Sequence, residues 1–161
     1  MNSRTTVERT SDRELVATRT VDGPARLVFE AWTTPDLIMR WWAPASFGIT
    51  FVSCETDVCT GGSYRYVFAH PDFEQPMAFF GRYIEVIPPS RLVWTNEEEE
   101  GGAVTTATFE EADDGKTLVV VHDLYPSKEA LDAAMASGST GAWPEQFEAL
   151  DELLGTLGAR A

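Results

Sequence analysis

The chain has 161 residues, 43% of them hydrophobic, which suits one domain with its own core and excludes wholesale disorder. Twelve basic residues stand against 26 acidic ones, a net charge of −14 at pH 7; the basic residues are scattered singly, so nucleic acid and anionic membrane surfaces are poor partners. No apolar run approaches the roughly 20 residues of a membrane helix, and the first 20 residues hold arginines but no apolar signal segment, so the chain is expected in the cytoplasm without membrane insertion.

Residues 1–12 are polar and read as a flexible tail before a single domain over 13–158. Residues 14–21 alternate as a first strand, with Leu15, Ala17 and Arg19 on one face and Val16, Thr18 and Thr20 on the other. Asp22, Gly23 and Pro24 form a helix-start signal. Ala25, Val28, Phe29 and Trp32 then make one apolar stripe. Thr34, Pro35 and Asp36 repeat the signal, and Leu37, Ile38 and Trp41 continue a second short helix that ends at Ala43-Pro44.

Strand patterns follow at 47–55, 63–69, 77–87, 91–96, 103–110 and 117–123. Gly61-Gly62, His70-Pro71-Asp72, Pro88-Pro89-Ser90 and Asp113-Asp114-Gly115 separate several of them as turns. The acidic tract 97–102 reads as a solvated loop rather than an ordered calcium site. A short helix opens at Ser127. Trp143-Pro144 starts the last one, whose Trp143, Phe147, Leu150, Leu154 and Leu157 form a sustained apolar seam. Strands joined by short turns make an antiparallel sheet, and the seam has to be buried against it, which gives an α+β fold. A strongly curved sheet around that helix leaves room between them for a candidate pocket.

Several motifs resemble a known family. Phe29, Trp32, Thr33, Pro35, Trp41, Trp42 and Pro44 fit the pattern F-x-x-W/L-T-x-P…W-W-x-P. Gly61, Gly62, Tyr64 and Tyr66 fit G-G-x-aromatic-x-aromatic, and the run from Gly81 through Tyr83, Glu85, Pro88-Pro89 and Arg91 to Thr95 fits G-x-Y-x-E-I-x-P-P-x-R-L-V-x-T. Gly141, Trp143 and the leucines that follow complete the set. Together these resemble Hsp90-ATPase-activator-homologue-like single-domain proteins of the START-like, or Bet v 1-like (SRPBCC), superfamily. The resemblance implies a helix-grip fold: a curved antiparallel sheet of about six to seven strands around a long C-terminal helix, with two short helices after the first strand. It implies a pocket rather than a reaction, since that superfamily holds lipid carriers, hormone receptors, polyketide cyclases and a co-chaperone domain. The two-domain activator has an additional amino-terminal domain that meets the chaperone; nothing in these 161 residues reads as that domain, so chaperone activation is not expected.

Aromatic rows mark the expected pocket. Tyr64, Tyr66 and Phe68 share a strand face, as do Phe79, Gly81, Tyr83, Glu85 and Ile87, and as do Leu92 and Trp94. The expected walls are Tyr66, Phe68, Phe79, Tyr83, Trp94, Trp143 and Phe147. Of the adjacent Trp41 and Trp42, one packs inward and the other caps the mouth. His122 and Glu85 interrupt apolar strands. Facing inward they would give the pocket an acid–base couple; the alternative for His122 is a satisfied side chain near a strand end. Gly81 opens a gap in a bulky row, as a bend or a close approach would require.

The expected function is binding of a small apolar or amphipathic molecule. The alternatives are a cyclase- or dehydratase-like enzyme working through His122 or Glu85, and a ligand-free partner-binding module. No metal or cofactor is expected. Cys54 and Cys59 make no zinc spacing with His70 or His122, and phosphate-loop, dinucleotide and nucleophile-elbow motifs are missing. The two thiols read as reduced, with a redox pair as the alternative. An antiparallel edge strand is compatible with a homodimer.

Overall fold

The computed structural model describes residues 5–42, 50–72, 74–97, 102–136 and 143–159. Eight strands form one antiparallel sheet: β1 (Thr6–Arg9), β2 (Glu14–Val21), β3 (Thr50–Thr56), β4 (Ser63–Ala69), β5 (Met77–Ile87), β6 (Arg91–Thr95), β7 (Val104–Glu111) and β8 (Thr117–Leu124). Their order across the sheet is β1-β2-β8-β7-β6-β5-β4-β3. The chain from β3 to β8 is a meander, and β8 then pairs with β2 from the start of the domain. Helices α1 (Ala25–Thr33) and α2 (Pro35–Trp41) carry the chain from β2 to the far edge at β3. Helix α3 (Lys128–Ala136) follows β8, and α4 (Trp143–Ala159) closes the chain.

Alternation decides which side chains enter the core. Ala17 and Val21 of β2, Ala107 and Phe109 of β7, and Val119 and Val121 of β8 share one face and are buried. Phe147, Leu150 and Leu154 of α4 meet them in a single core cluster, each no more than 1% exposed. Burying each such side chain stabilises the fold by about 1.5–3 kcal/mol. Arg19 occupies an inward position on β2. Its guanidinium is neutralised there by Asp151 of α4, with Nη2 and Oδ2 2.7 Å apart.

The helix-grip fold follows the sequence pattern closely, with one addition. Thr6–Arg9, inside the segment read as a tail, pairs with β2 as an edge strand, from Thr6 opposite Thr18 to Arg9 opposite Leu15. This strand is held by backbone pairing, by Val7 against the core and by the Arg9–Asp132 ion pair, and its side chains carry almost no apolar periodicity. The sheet therefore has eight strands rather than six or seven. The acidic stretch 98–101 and the break at 137–142 lie outside the described residues, as do 43–49.

Candidate functional site

The space between sheet and helices is lined at one end by aromatic side chains. Trp32 of α1 and Trp42, the residue that caps α2, face Tyr64 and Tyr66 of β4, Phe79 and Tyr83 of β5, Leu92 and Trp94 of β6, and Asn96 just beyond β6. They bound a cavity of about 30 Å³. The rings contact one another directly: Tyr64 and Tyr66 have centroids 5.2 Å apart, Trp42 and Tyr66 5.6 Å, and Trp32 and Trp94 5.8 Å. The carbonyl of Trp42 accepts a hydrogen bond from Gln146 Nε2 at 2.7 Å, which fastens the end of α2 to the first turns of α4.

Tyr64 and Asn96 of this wall are committed to neighbouring protein groups. Burial pushes the Tyr66 and Tyr83 phenols well above their ordinary pKa, so both stay neutral. The Tyr64 hydroxyl donates to the Thr95 carbonyl at 2.7 Å, with Asn96 Oδ1 3.4 Å away. Asn96 Nδ2 donates to the Ala103 carbonyl and to Thr105 Oγ1, and Thr105 Oγ1 donates to Asp123 Oδ1 at 2.6 Å. Because the Thr105 hydroxyl spends its proton on Asp123, it can only accept from Asn96. This fixes the amide with its oxygen toward Tyr64. Burial raises the Asp123 carboxyl above its ordinary pKa, against the downward pull of the Thr105 hydrogen bond. Gly81 permits the arrangement: a Cβ there would overlap the Thr95 carbonyl oxygen that Tyr64 uses.

The sequence matches the family described as activator of Hsp90 ATPase homolog 1-like protein over residues 22–155. The chain belongs to that family. Three solved structures show how far the fold is shared. A crystal structure of a Rhodobacter sphaeroides protein is 25% identical, covers 95% of this chain and 99% of its own, and superposes with a TM-score of 0.85. A protein from Nitrosomonas europaea is 20% identical, with 94% and 99% covered and a TM-score of 0.83. A Mycobacterium smegmatis protein is 22% identical, with 93% and 96% covered and a TM-score of 0.80. Among curated proteins, none matches the chain. Family and fold support a superfamily-level ligand-binding or activator role.

Of the expected pocket residues, Trp42, Tyr66, Phe79, Tyr83 and Trp94 line the cavity. Phe68 is buried beside it, packed on Phe51 and Phe79 with centroids 4.6 and 5.1 Å away. Trp41 is the inward partner of the tryptophan pair, fully buried, with Nε1 donating to the Ala31 carbonyl at 2.8 Å. Trp143 is half-buried and stacks on Trp32, and Phe147 packs fully buried beneath it. Neither of these two lines the cavity, so the void lies nearer α1 and α2 than the expected position along α4. Trp32, Tyr64, Leu92 and Asn96 complete the wall. Alternation along β6 from Leu92 through Trp94 does reach Asn96, but a polar residue at a strand end carries no pocket signal of its own.

The acid–base couple is not formed. Between Tyr83 and Glu85 the β5–β6 register shifts by a bulge, which turns Glu85 away from the face that Tyr83 shares with Trp94. Glu85 lies on the surface and pairs with Arg91, Oε1 to Nε 2.7 Å. His122 follows the outer row of Leu118 and Val120, while Val119 and Val121 take the core. Its Nε2 lies 2.6 Å from Glu14 Oε2 across the neighbouring strand. Both candidate catalytic residues are therefore off the cavity.

Cys54 and Cys59 are free thiols. Cys54 faces inward opposite Tyr66, and burial pushes its thiol up to about 11, which leaves it unreactive at neutral pH. Among the described residues no group of three or more His, Cys, Asp and Glu is arranged to hold a metal ion, and no helix is long and apolar enough to cross a membrane.

Proposed function

We propose that this chain binds a small hydrophobic or amphipathic molecule at the aromatic cavity between β4–β6 and the α1–α2 pair. The observation that supports this most is the composition of the wall: seven aromatic rings and no charged side chain among the described lining residues. Pockets for small molecules are concave, mostly apolar, and carry a few convergent polar groups. Here those groups are the hydroxyls of Tyr66 and Tyr83 and the amide of Asn96.

At about 30 Å³ the cavity is well below the ~150 Å³ that accommodates a benzene ring. Binding therefore requires the wall to part, and the half-buried Trp42 and Phe79 are the rings whose outward rotation enlarges it. Native mass spectrometry of the protein purified from its own cells tests the reading. A retained ligand adds discrete mass that denaturation removes. Protein that emerges only at the mass of the bare chain, with no thermal shift from any apolar compound, refutes it.

The small volume favours one second reading, a partner-binding module with a filled core. Co-purification of a stoichiometric protein partner by the bare chain supports it. A cyclase-like reaction through His122 or Glu85 is not proposed, because neither reaches the cavity.

A further inference from the structure

Trp32 brings a buried donor without a partner to the cavity wall. It is 4% exposed, and its indole Nε1 is the buried side-chain nitrogen or oxygen that has no hydrogen-bond partner among the described residues. Buried donors in folded proteins are nearly always paired, and an unmade hydrogen bond there is costly. The neighbouring indole of Trp41 shows the usual solution, donating to the Ala31 carbonyl. Asn96 and Tyr64 direct their protons to backbone carbonyls and to Thr105, so they have none left for a guest.

Resting on the binding reading above, we infer that Trp32 Nε1–H is the recognition donor of the cavity, and that its ligand is an uncharged, ring-sized molecule carrying a carbonyl oxygen. An indole N–H only donates, so the guest has to bring an acceptor. The lining offers no counter-ion, so a charged group would be desolvated without compensation. A net charge of −14 further disfavours anions. The rings of the wall match a planar, aromatic body packed by offset or edge contacts.

Three probes of similar shape separate these statements: acetophenone, which has the carbonyl; ethylbenzene, which lacks it; and benzoate, which is charged. Each is titrated into the full chain carrying 15N-labelled indoles, with the Trp32 signal assigned from a Trp32→Phe variant. The expected result is that acetophenone binds about tenfold tighter than ethylbenzene, the worth of one hydrogen bond. It also moves the Trp32 Nε1–H resonance downfield. In Trp32→Phe the preference disappears while both probes still bind. Should that variant fail to fold, the relative affinities of acetophenone and ethylbenzene for the parent protein still decide, equal affinities overturning the donor role.

Equal binding of acetophenone and ethylbenzene with an unmoved Trp32 signal overturns the donor role and leaves the binding function standing. Benzoate binding more tightly than acetophenone overturns the uncharged class. Binding of none of the three overturns the inference, while the binding reading is decided separately by the mass and thermal-shift measurements above.

Discussion

Arg19 of β2 directs both Nε and Nη2 at one oxygen of Asp151 in α4, at 3.1 and 2.7 Å, while the other oxygen of Asp151 accepts the backbone N–H of Asp22 at 2.9 Å. One carboxylate thus clamps the long helix to the second strand and to the turn that leads into α1. Its side chain is 22% exposed and that of Arg19 is 11% exposed. Asp151→Ala leaves the arginine unpaired at an inward position, and a loss of about 2–4 kcal/mol is expected, somewhat below that of a fully buried pair. Asp151→Asn keeps an acceptor for Asp22 and should lose less. Urea unfolding of the three proteins gives the comparison; an alanine variant as stable as the parent would show the clamp to be idle.

Gly81 sets the position of a wall residue without touching the cavity. The Thr95 carbonyl approaches so closely that a Cβ at position 81 would overlap it, and the same carbonyl receives the Tyr64 hydroxyl. Gly81→Ala has to push two strands apart, at an expected cost of about 2–4 kcal/mol. It should also release Tyr64 from its fixed orientation. The check is chemical denaturation together with the NMR signals of Tyr64; an unshifted midpoint would mean that the strands yield freely.

Trp143 stacks on Trp32 at 6.1 Å and packs on Phe147 at 5.1 Å, yet it remains half-buried. A fully buried tryptophan truncated to alanine loses roughly 3–5 kcal/mol. Part of the Trp143 ring already meets water, so Trp143→Ala should lose about 2 kcal/mol, a fall in Tm of roughly 4–8 °C. Calorimetry within a degree of the parent would remove Trp143 as an anchor of α4.

The Glu14–His122 pair on the outer face predicts a response to acid. The hydrogen bond from His122 holds the Glu14 carboxyl below its ordinary value of 4.5, with Ser11 adding to the effect. A carboxyl whose pKa is depressed on folding contributes stability above its unfolded value, and that contribution is lost as pH falls through the lower folded value. The parent should therefore lose stability below about pH 4.5 more steeply than His122→Gln, and the two should converge in stronger acid. A direct readout is the Glu14 carboxyl titration by NMR, which should move upward in the variant. An unmoved titration would contradict the pairing.

The fold was legible because two periods do most of the work. Alternation wrote out β2 and β4 through β8, and the four- and three-residue steps from Trp143 to Leu157 marked the helix that grips them. The aromatic wall was half legible for the same reason: Tyr66, Phe79, Tyr83 and Trp94 sit on the faces that alternation assigns. It failed at Glu85, where a bulge after Tyr83 reverses the phase and no residue type announces the extra position. It was ambiguous at His122, because both faces of β8 are apolar through Leu118, Val119, Val120 and Val121. Strand β1 was hidden because edge pairing uses backbone groups that every sequence possesses. Trp32 read as one more member of a helical stripe. Only the three-dimensional arrangement shows that its nitrogen lacks the partner that Trp41 has.

The chain has five tryptophans, and Trp32 touches the other four: Trp41 at 4.9 Å, Trp94 at 5.8 Å, and Trp42 and Trp143 at 6.1 Å. Every indole chromophore therefore belongs to one assembly, three members of which line the cavity. Excitation absorbed by any of them passes within that cluster, so the fluorescence and the near-ultraviolet circular dichroism of the whole molecule report on a single place. Loosening of β1 or of α3 leaves these signals nearly silent, whereas any displacement of Trp42 or filling of the cavity alters them at once. The protein carries a built-in optical probe of its own candidate site.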